Sequence, residues 1–224
     1  MEPRATFSDA ARRLGVVSAI GVTILCPAYA AVLVAGLLSL PTPQDPIGEP
    51  FFGILEILIL FLAPLMLMLA ASIHAWADER SKIFGVMSLA FMSLMAVLTC
   101  SIHFVVLTIS RDPAIAAMES AQVLLAFKWP SIVYALDILA WDVLFALSAV
   151  FAAPVFGGSR LGTWIRRLLF TSGVLAFAGL TGVVQGDMQL RNIGILGYVV
   201  VYPVAAALVA LLFVRAKPCQ PIQP

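Results

Sequence analysis

The chain has 224 residues, of which 62% are hydrophobic and 11% are charged, and its mean hydropathy is +1.05. Soluble globular domains carry roughly a quarter charged residues, so the composition excludes such a domain and indicates an integral membrane protein. Thirteen Lys and Arg residues nearly balance twelve Asp and Glu residues, so neither a nucleic-acid-binding domain nor a solvating acidic tail is indicated.

Six apolar runs follow one another along the chain, each of about the 20 residues that a helix needs to cross a bilayer. They cover residues 15–40, 51–75, 84–109, 131–152, 165–184 and 193–214. Polar segments at 41–50, 77–82, 110–128, 154–160 and 185–192 separate them. The sequence therefore predicts an all-α integral membrane protein with six transmembrane helices in a single domain over residues 1–224.

The first run has an alternative interpretation as a signal peptide. Arg12 and Arg13 precede it, and the small residues around Ala28-Tyr29-Ala30 resemble a cleavage site. The apolar stretch nevertheless continues to Leu40, beyond the length of a signal peptide's apolar region. We therefore expect this segment to remain as the first transmembrane helix.

The basic residues are unequally divided between the two ends of the predicted bundle. The end that holds both termini carries ten of the thirteen: Arg4, Arg12, Arg13, Arg80, Lys82, Arg160, Arg166, Arg167, Arg215 and Lys217. The other end carries Arg111, Lys128 and Arg191. Short basic loops stay in the cytoplasm, so this asymmetry predicts a cell-membrane (plasma or inner membrane) protein whose N- and C-termini are both cytoplasmic.

The polar segment between the third and fourth runs has a helical pattern of its own. Apolar and amphipathic positions recur at Ile115, Met118, Gln122 and Leu125. The segment is too short and too polar to span the bilayer. We expect a short helix that lies along the outer membrane interface.

Four ionisable residues interrupt the predicted spans: Glu56, His103, Asp137 and Asp142. Such a residue costs about 2.5–3.5 kcal/mol at the centre of a helix in a membrane. Antiparallel neighbours place residues at equal depth when these are equidistant from the connecting loop. Glu56 and His103 are equidistant from the middle of the turn at 78–80. His103 and Asp137 are nearly equidistant from the middle of the segment 111–128. We therefore expect Glu56, His103 and Asp137 in one outer layer, and Asp142 about 7 Å deeper.

Aromatic and hydroxyl residues recur beside these groups at helical spacing. Together they predict an outward-opening polar pocket, with a short polar loop at 185–192 above it. The expected ligand-binding residues are Tyr134, Trp141, Asp142, Tyr198 and Thr99.

A buried Glu, His and Asp in one layer favour general acid–base chemistry. We expect Glu56, His103 and Asp137 to be the catalytic residues, with either acid as proton donor and the histidine as acceptor or orienting group. The predicted substrate is a small hydrophobic or lipidic molecule. Isomerisation or cyclisation of a lipidic alkene would need a protonated carboxyl and aromatic walls, for which the candidates are Tyr134, Trp141, Phe104 and Tyr198.

Several other membrane functions lack their residues. A haem held between two histidines is disfavoured because His74 and His103 are predicted about 27 Å apart. No lysine lies inside a span to bind retinal, and no zinc-protease, nucleotide-binding or paired-cysteine motif occurs. We therefore expect no cofactor and no metal.

Two alternatives to ligand binding and catalysis stay open. One is a non-catalytic assembly or scaffold subunit, in which the polar layer is tightly paired. The other is a proton-coupled transporter with Asp142 as the proton carrier. The expected partners are the lipid bilayer, a small hydrophobic ligand, and a second copy of the chain or another membrane protein. A cavity of several hundred Å3 would favour binding, and a packed layer would favour the scaffold.

Overall fold

The computed structural model describes residues 7–42, 45 and 47–217, so that Arg4 of the predicted basic end lies outside the described residues. Within these ranges the chain is helical and contains no strand. In the described part of the chain, six helices are long and apolar enough to cross a membrane, as the sequence predicts. They are α1 (Asp9–Leu38), α2 (Phe51–Trp76), α3 (Lys82–Arg111), α4 (Ile132–Val155), α5 (Arg160–Gln185) and α6 (Met188–Arg215).

Side-chain caps fix where several of these helices begin. Ser8, Ser131 and Ser159 each accept a hydrogen bond from a backbone N–H in the first turn, of α1, α4 and α5 respectively. Such caps satisfy N–H groups that have no partner within the helix. The polar residues that separate the apolar runs therefore also set the helix boundaries.

The six helices form a closed ring. Each packs against its neighbours in sequence, and α6 packs against α1. Large apolar side chains fill the interior, among them Met66, Met95, Phe145 and Phe213. Others cover the outside, including Ile24, Phe61, Val97 and Val184, which are 61–87% exposed. A helical bundle that is apolar on its outside as well as inside indicates a multi-pass membrane protein.

The segment between α3 and α4 contains two short helices where the sequence predicts one. They are Pro113–Ala116 and Glu119–Leu124. Met118 separates them because its backbone is extended (φ −76°, ψ 133°). The predicted spacing from Ile115 to Leu125 therefore does not describe one continuous helix.

The start of α6 differs from the prediction in a way that matters for the site. The polar stretch 185–192 is not a loop, because α5 continues to Gln185 and α6 already begins at Met188. Gly186 ends α5 in the left-handed conformation (φ +70°), which glycine adopts without strain. Asp187 then caps α6 by accepting a hydrogen bond from the Gln189 N–H. The connection is a tight turn of two residues.

The missing side chain of Gly182 allows the first turn of α6 to lie directly on α5. A Cβ atom at this position would lie 2.5 Å from the backbone nitrogen of Arg191 and from the carbonyl oxygen of Asp187. This close approach carries Arg191 into the bundle, where it is only 5% exposed. Arg191 therefore belongs to the interior and not to an outer loop.

Candidate functional site

Glu56, His103 and Asp137 meet inside the ring. Glu56 Oε2 and His103 Nδ1 are hydrogen-bonded at 2.7 Å, and His103 Nε2 lies 3.4 Å from Asp137 Oδ1. The three residues come from α2, α3 and α4 and are at most 6% exposed. Glu56 and Asp137 each follow the first residue of their helix by five positions. The layer therefore lies toward the end of the bundle where α1 joins α2 and α3 joins α4.

The hydrogen bond to Glu56 constrains which ring nitrogen of His103 carries a proton. When Glu56 is ionised it only accepts hydrogen bonds, and Nδ1 is then the donor. His103 Nε2 and Asp137 Oδ1 face each other at 3.4 Å without hydrogen-bond geometry, and neither atom has a hydrogen-bond partner among the described residues. Buried polar atoms are normally hydrogen-bonded, so this pair is an exception that calls for an explanation.

Arg191 joins the layer to the deeper Asp142. Its Nε donates to Asp142 Oδ2 at 2.9 Å, and its Nη2 donates to Asp137 Oδ2 at 3.4 Å. Its Nη1 donates to Tyr134 Oη at 2.9 Å, and its guanidinium carbon lies 4.9 Å from the centre of the Tyr134 ring. The guanidinium thus compensates two buried carboxylates, which would be costly if left unpaired.

A π-helical segment in α4 explains how two acids five residues apart reach one cation. Asp137 lies just before the segment Leu139–Phe145 and Asp142 lies inside it, and the wider π turn of this segment rotates Asp142 toward the face of α4 that carries Asp137. Asp142 therefore approaches the same guanidinium as Asp137. Trp141 instead points toward α3, where its Nε1 donates to Thr99 Oγ1 at 3.0 Å.

A second π segment, Leu196–Val201, occurs in α6 and carries Tyr198. The Tyr198 ring lies 5.0 Å from the ring of Trp141, centre to centre. π segments within α-helices are often found at functional sites. Both of the π segments in the described residues border the same region of the ring.

A cavity of about 210 Å3 adjoins the layer. It is mostly apolar, with five aromatic side chains on its wall together with His103 and Asp137. The lining residues are Cys26, Tyr29, Leu33, Ile59, Leu62, His103, Phe127, Tyr134, Asp137, Trp141, Arg191, Ile195, Tyr198 and Val199. The cavity is smaller than the several hundred Å3 expected for an occupied binding site, so it suits a small molecule or the polar end of a longer one.

The predicted ligand-binding residues separate into two groups. Tyr134, Trp141 and Tyr198 line the cavity. Thr99 and Asp142 lie behind the wall, where they hold Trp141 and Arg191 in position. Among the predicted catalytic residues, His103 and Asp137 line the cavity, and Glu56 contacts it only through His103.

Phe104 is not an aromatic wall of the site. Its side chain is 60% exposed on the outside of the bundle. Because His103 points inward, the adjacent residue of the helix lies about 100° around its axis. The prediction for Phe104 was therefore wrong.

Nine lining residues were missed from the sequence, and four of them are not aliphatic: Arg191, Tyr29, Phe127 and Cys26. For Arg191 a signal was present, because Gly186-Asp187 is a typical helix end followed by a helix start. A helix that begins there places Arg191 on the same face as Tyr198, seven positions later.

Phe127 offered no comparable signal. It lies outside the helices, yet its ring is 5.4 Å from the rings of both His103 and Tyr134. The position of such a residue depends on how the connecting segment packs, which periodicity does not report.

No group of three His, Cys, Asp or Glu side chains in the described part of the chain is arranged to hold a metal ion. The chain matches no protein-family model, and no curated protein or solved structure is similar to it.

Proposed function

We propose that this chain is a multi-pass membrane protein that binds a small, largely apolar molecule in the cavity and exchanges a proton with it. The proposal is supported by the place of His103 and Asp137, which both line a mainly apolar cavity and whose Nε2 and Oδ1 atoms lack hydrogen-bond partners among the described residues. A polar group of the bound molecule would complete their hydrogen bonding, and the aromatic walls would hold its apolar part.

The proton exchange uses His103 as the group that contacts the ligand. The bound molecule transfers a proton to Nε2, and the ring becomes an imidazolium with a proton on each nitrogen. Glu56, hydrogen-bonded to Nδ1, stabilises that positive charge from behind. Return of the proton to the ligand, at the same or another atom, restores the site, so that no cofactor is needed.

The proposed orientation places both termini in the cytoplasm of a cell membrane. With Arg191 buried among carboxylates, the end opposite the termini retains only Arg111 and Lys128 of its three basic residues, against ten at the other end. This strengthens the asymmetry that keeps basic segments cytoplasmic. The site then lies in the outer half of the bilayer and opens outward. The segment that contains the helices Pro113–Ala116 and Glu119–Leu124 lies along the outer interface.

A scaffold role is the second candidate, and the paired groups favour it. The hydrogen bonds Glu56–His103, Arg191–Asp142 and Trp141–Thr99 join four helices of the ring. Polar contacts between membrane helices also serve simply to hold them together. Transport with Asp142 as a free proton carrier has less support, because this carboxylate is paired with Arg191 at 2.9 Å.

Native mass spectrometry of the protein, purified in a mild detergent, tests the binding proposal. Val199→Trp fills the cavity, whereas Val200→Trp adds the same volume to the adjacent residue, which is 52% exposed on the outside. We expect a retained small molecule in the wild type and in Val200→Trp, and its loss in Val199→Trp.

Two results would contradict the proposal. One is the absence of a bound molecule from the wild type together with unchanged folding in Val199→Trp, which would favour the scaffold. The other is equal retention of the molecule by Val199→Trp and Val200→Trp, which would place it outside the cavity.

A further inference from the structure

The buried cluster carries more negative than positive groups. Glu56, Asp137 and Asp142 contribute three carboxylates, and Arg191 is the one permanently charged cation paired with them in the described chain. With all three acids ionised, the net charge of the cluster is −2 when His103 is neutral and −1 when His103 is protonated. Uncompensated charge inside a protein is unfavourable, so the site is better matched to a cationic ligand than to a neutral one.

Arg191 is not positioned to receive an anion. Its Nε, Nη1 and Nη2 already donate to Asp142, Tyr134 and Asp137. A ligand carboxylate or phosphate could use only the two N–H groups that remain on Nη1 and Nη2, and it would add to the negative excess. The chemistry of the wall thus disfavours acidic ligands.

The two unpartnered atoms also favour a ligand with several donors. When His103 carries its proton on Nδ1, both Nε2 and Asp137 Oδ1 are acceptors, and they lie only 3.4 Å apart. An ammonium group has at least two N–H donors in its primary and secondary forms and can serve both acceptors at once. An alcohol has a single donor and leaves one acceptor unpaired.

Aromatic rings surround this position. Tyr29, Phe127, Trp141 and Tyr198 line the cavity together with Asp137. The faces of aromatic rings attract organic cations, and such walls are common in sites that bind ammonium groups. The same rings provide an apolar environment for the hydrocarbon part of the ligand.

We infer that the ligand is an amphiphilic amine, whose protonated amino group bridges Asp137 Oδ1 and His103 Nε2 while its apolar part lies among the aromatic side chains. This inference rests on the proposed function and specifies the chemical class of the molecule bound there. The proton that His103 takes from the ligand is then one of the ammonium protons, and the bound amine becomes neutral when the imidazolium forms.

The test compares three eight-carbon probes that differ only in the polar end: octylamine, octanol and octanoate. Equilibrium binding of each radiolabelled probe is measured on the full chain in nanodiscs of zwitterionic phosphatidylcholine, with empty nanodiscs subtracted. We expect saturable binding of octylamine at a concentration at least about tenfold lower than that for octanol, and no saturable binding of octanoate.

Two substitutions test whether the preference for octylamine arises at Asp137. Asp137→Asn removes the proposed ammonium partner, and we expect it to abolish the preference for octylamine over octanol. Glu119→Gln makes the same change of charge on an exposed residue outside the cavity and should leave the preference intact. If Asp137→Asn does not fold, the ratio of octylamine to octanol affinity in the wild type still decides the inference.

The possible failures are distinguishable. Saturable binding of octanol or octanoate that equals or exceeds that of octylamine would overturn the inference and leave the proposed binding function standing. A preference for octylamine that persists in a folded Asp137→Asn protein would also overturn it. If none of the three probes binds saturably, both the inference and the proposed function fail.

Discussion

Arg191 is the residue on which the buried cluster depends most. Among the residues that the structure describes, it provides the only permanent positive charge paired with Asp137 and Asp142, and both acids are at most 6% exposed. Removing one partner of a buried ion pair leaves an uncompensated charge, which typically costs about 3–5 kcal/mol. We expect Arg191→Met to lower the free energy of unfolding by about that amount, measured by denaturant titration in detergent micelles.

The matched control is Arg160→Met, which removes an exposed arginine and should change stability by less than about 0.5 kcal/mol. Arg191→Met combined with Asp142→Asn should be less destabilised than Arg191→Met alone, because the unpaired charge is removed as well. Equal stability of Arg191→Met and Arg160→Met would show that the guanidinium does not compensate the cluster.

For individual residues, the sequence predicted the depth of the charged layer but not the side chains that surround it. Counting from the loop centres brought Glu56, His103 and Asp137 to one depth, because antiparallel neighbouring helices place residues that are equidistant from their connection at equal height. The same arithmetic could not assign side-chain partners. Whether Asp142 faces the cavity or pairs with a cation depends on the π turn of α4, and that turn depends on packing.

At the scale of elements, the contact between α5 and α6 positions the cation. Gly182→Ala would place a Cβ atom 2.5 Å from backbone atoms of α6, and backbone cannot move aside as a flexible side chain can. We expect a loss of stability of about 1–3 kcal/mol and weaker ligand retention, because Arg191 is displaced together with the helix. Denaturant titration and native mass spectrometry measure the two effects.

Gly157→Ala is the control for this prediction, because a Cβ atom at that position would meet no atom within 4 Å. Gly157→Ala should change neither the stability nor the ligand retention appreciably. If Gly182→Ala were equally neutral, the close approach of α5 and α6 would not be what places Arg191.

Hydropathy predicted the long helices but not the first turn of α6. Long apolar runs predicted all six helices, because the cost of exposing backbone polar groups to lipid leaves few alternatives to a helix. The first turn of α6 was assigned to a loop, because Asp187, Gln189, Arg191 and Asn192 make it polar. Its capping residues, Gly186 and Asp187, were a better guide than its hydropathy.

At the scale of the whole molecule, the proposed topology makes a direct prediction about accessibility. In a background that lacks the native cysteines, Gln122→Cys lies in the segment proposed to be external, and Gly157→Cys lies in the connection between α4 and α5. Both positions are exposed. A membrane-impermeant maleimide should label the first in intact cells and the second only after permeabilisation.

Labelling of Gly157→Cys in intact cells, with protection of Gln122→Cys, would reverse the orientation. It would also move the cavity to the cytoplasmic half of the membrane. The ring of six helices would be unaffected, since its packing does not depend on which side faces outward.

In the proposed function, a molecule in the cavity contacts His103. The chain has only two histidines, so 15N NMR of histidine-labelled protein in nanodiscs can follow both, with His74→Gln to assign them. We predict that His103 carries its proton on Nδ1, and that saturating octanol or octylamine shifts its Nε2 resonance while both resonances of His74 stay unchanged. If neither probe moves the His103 Nε2 resonance, the cavity does not bring ligands to the polar layer, and the account is contradicted.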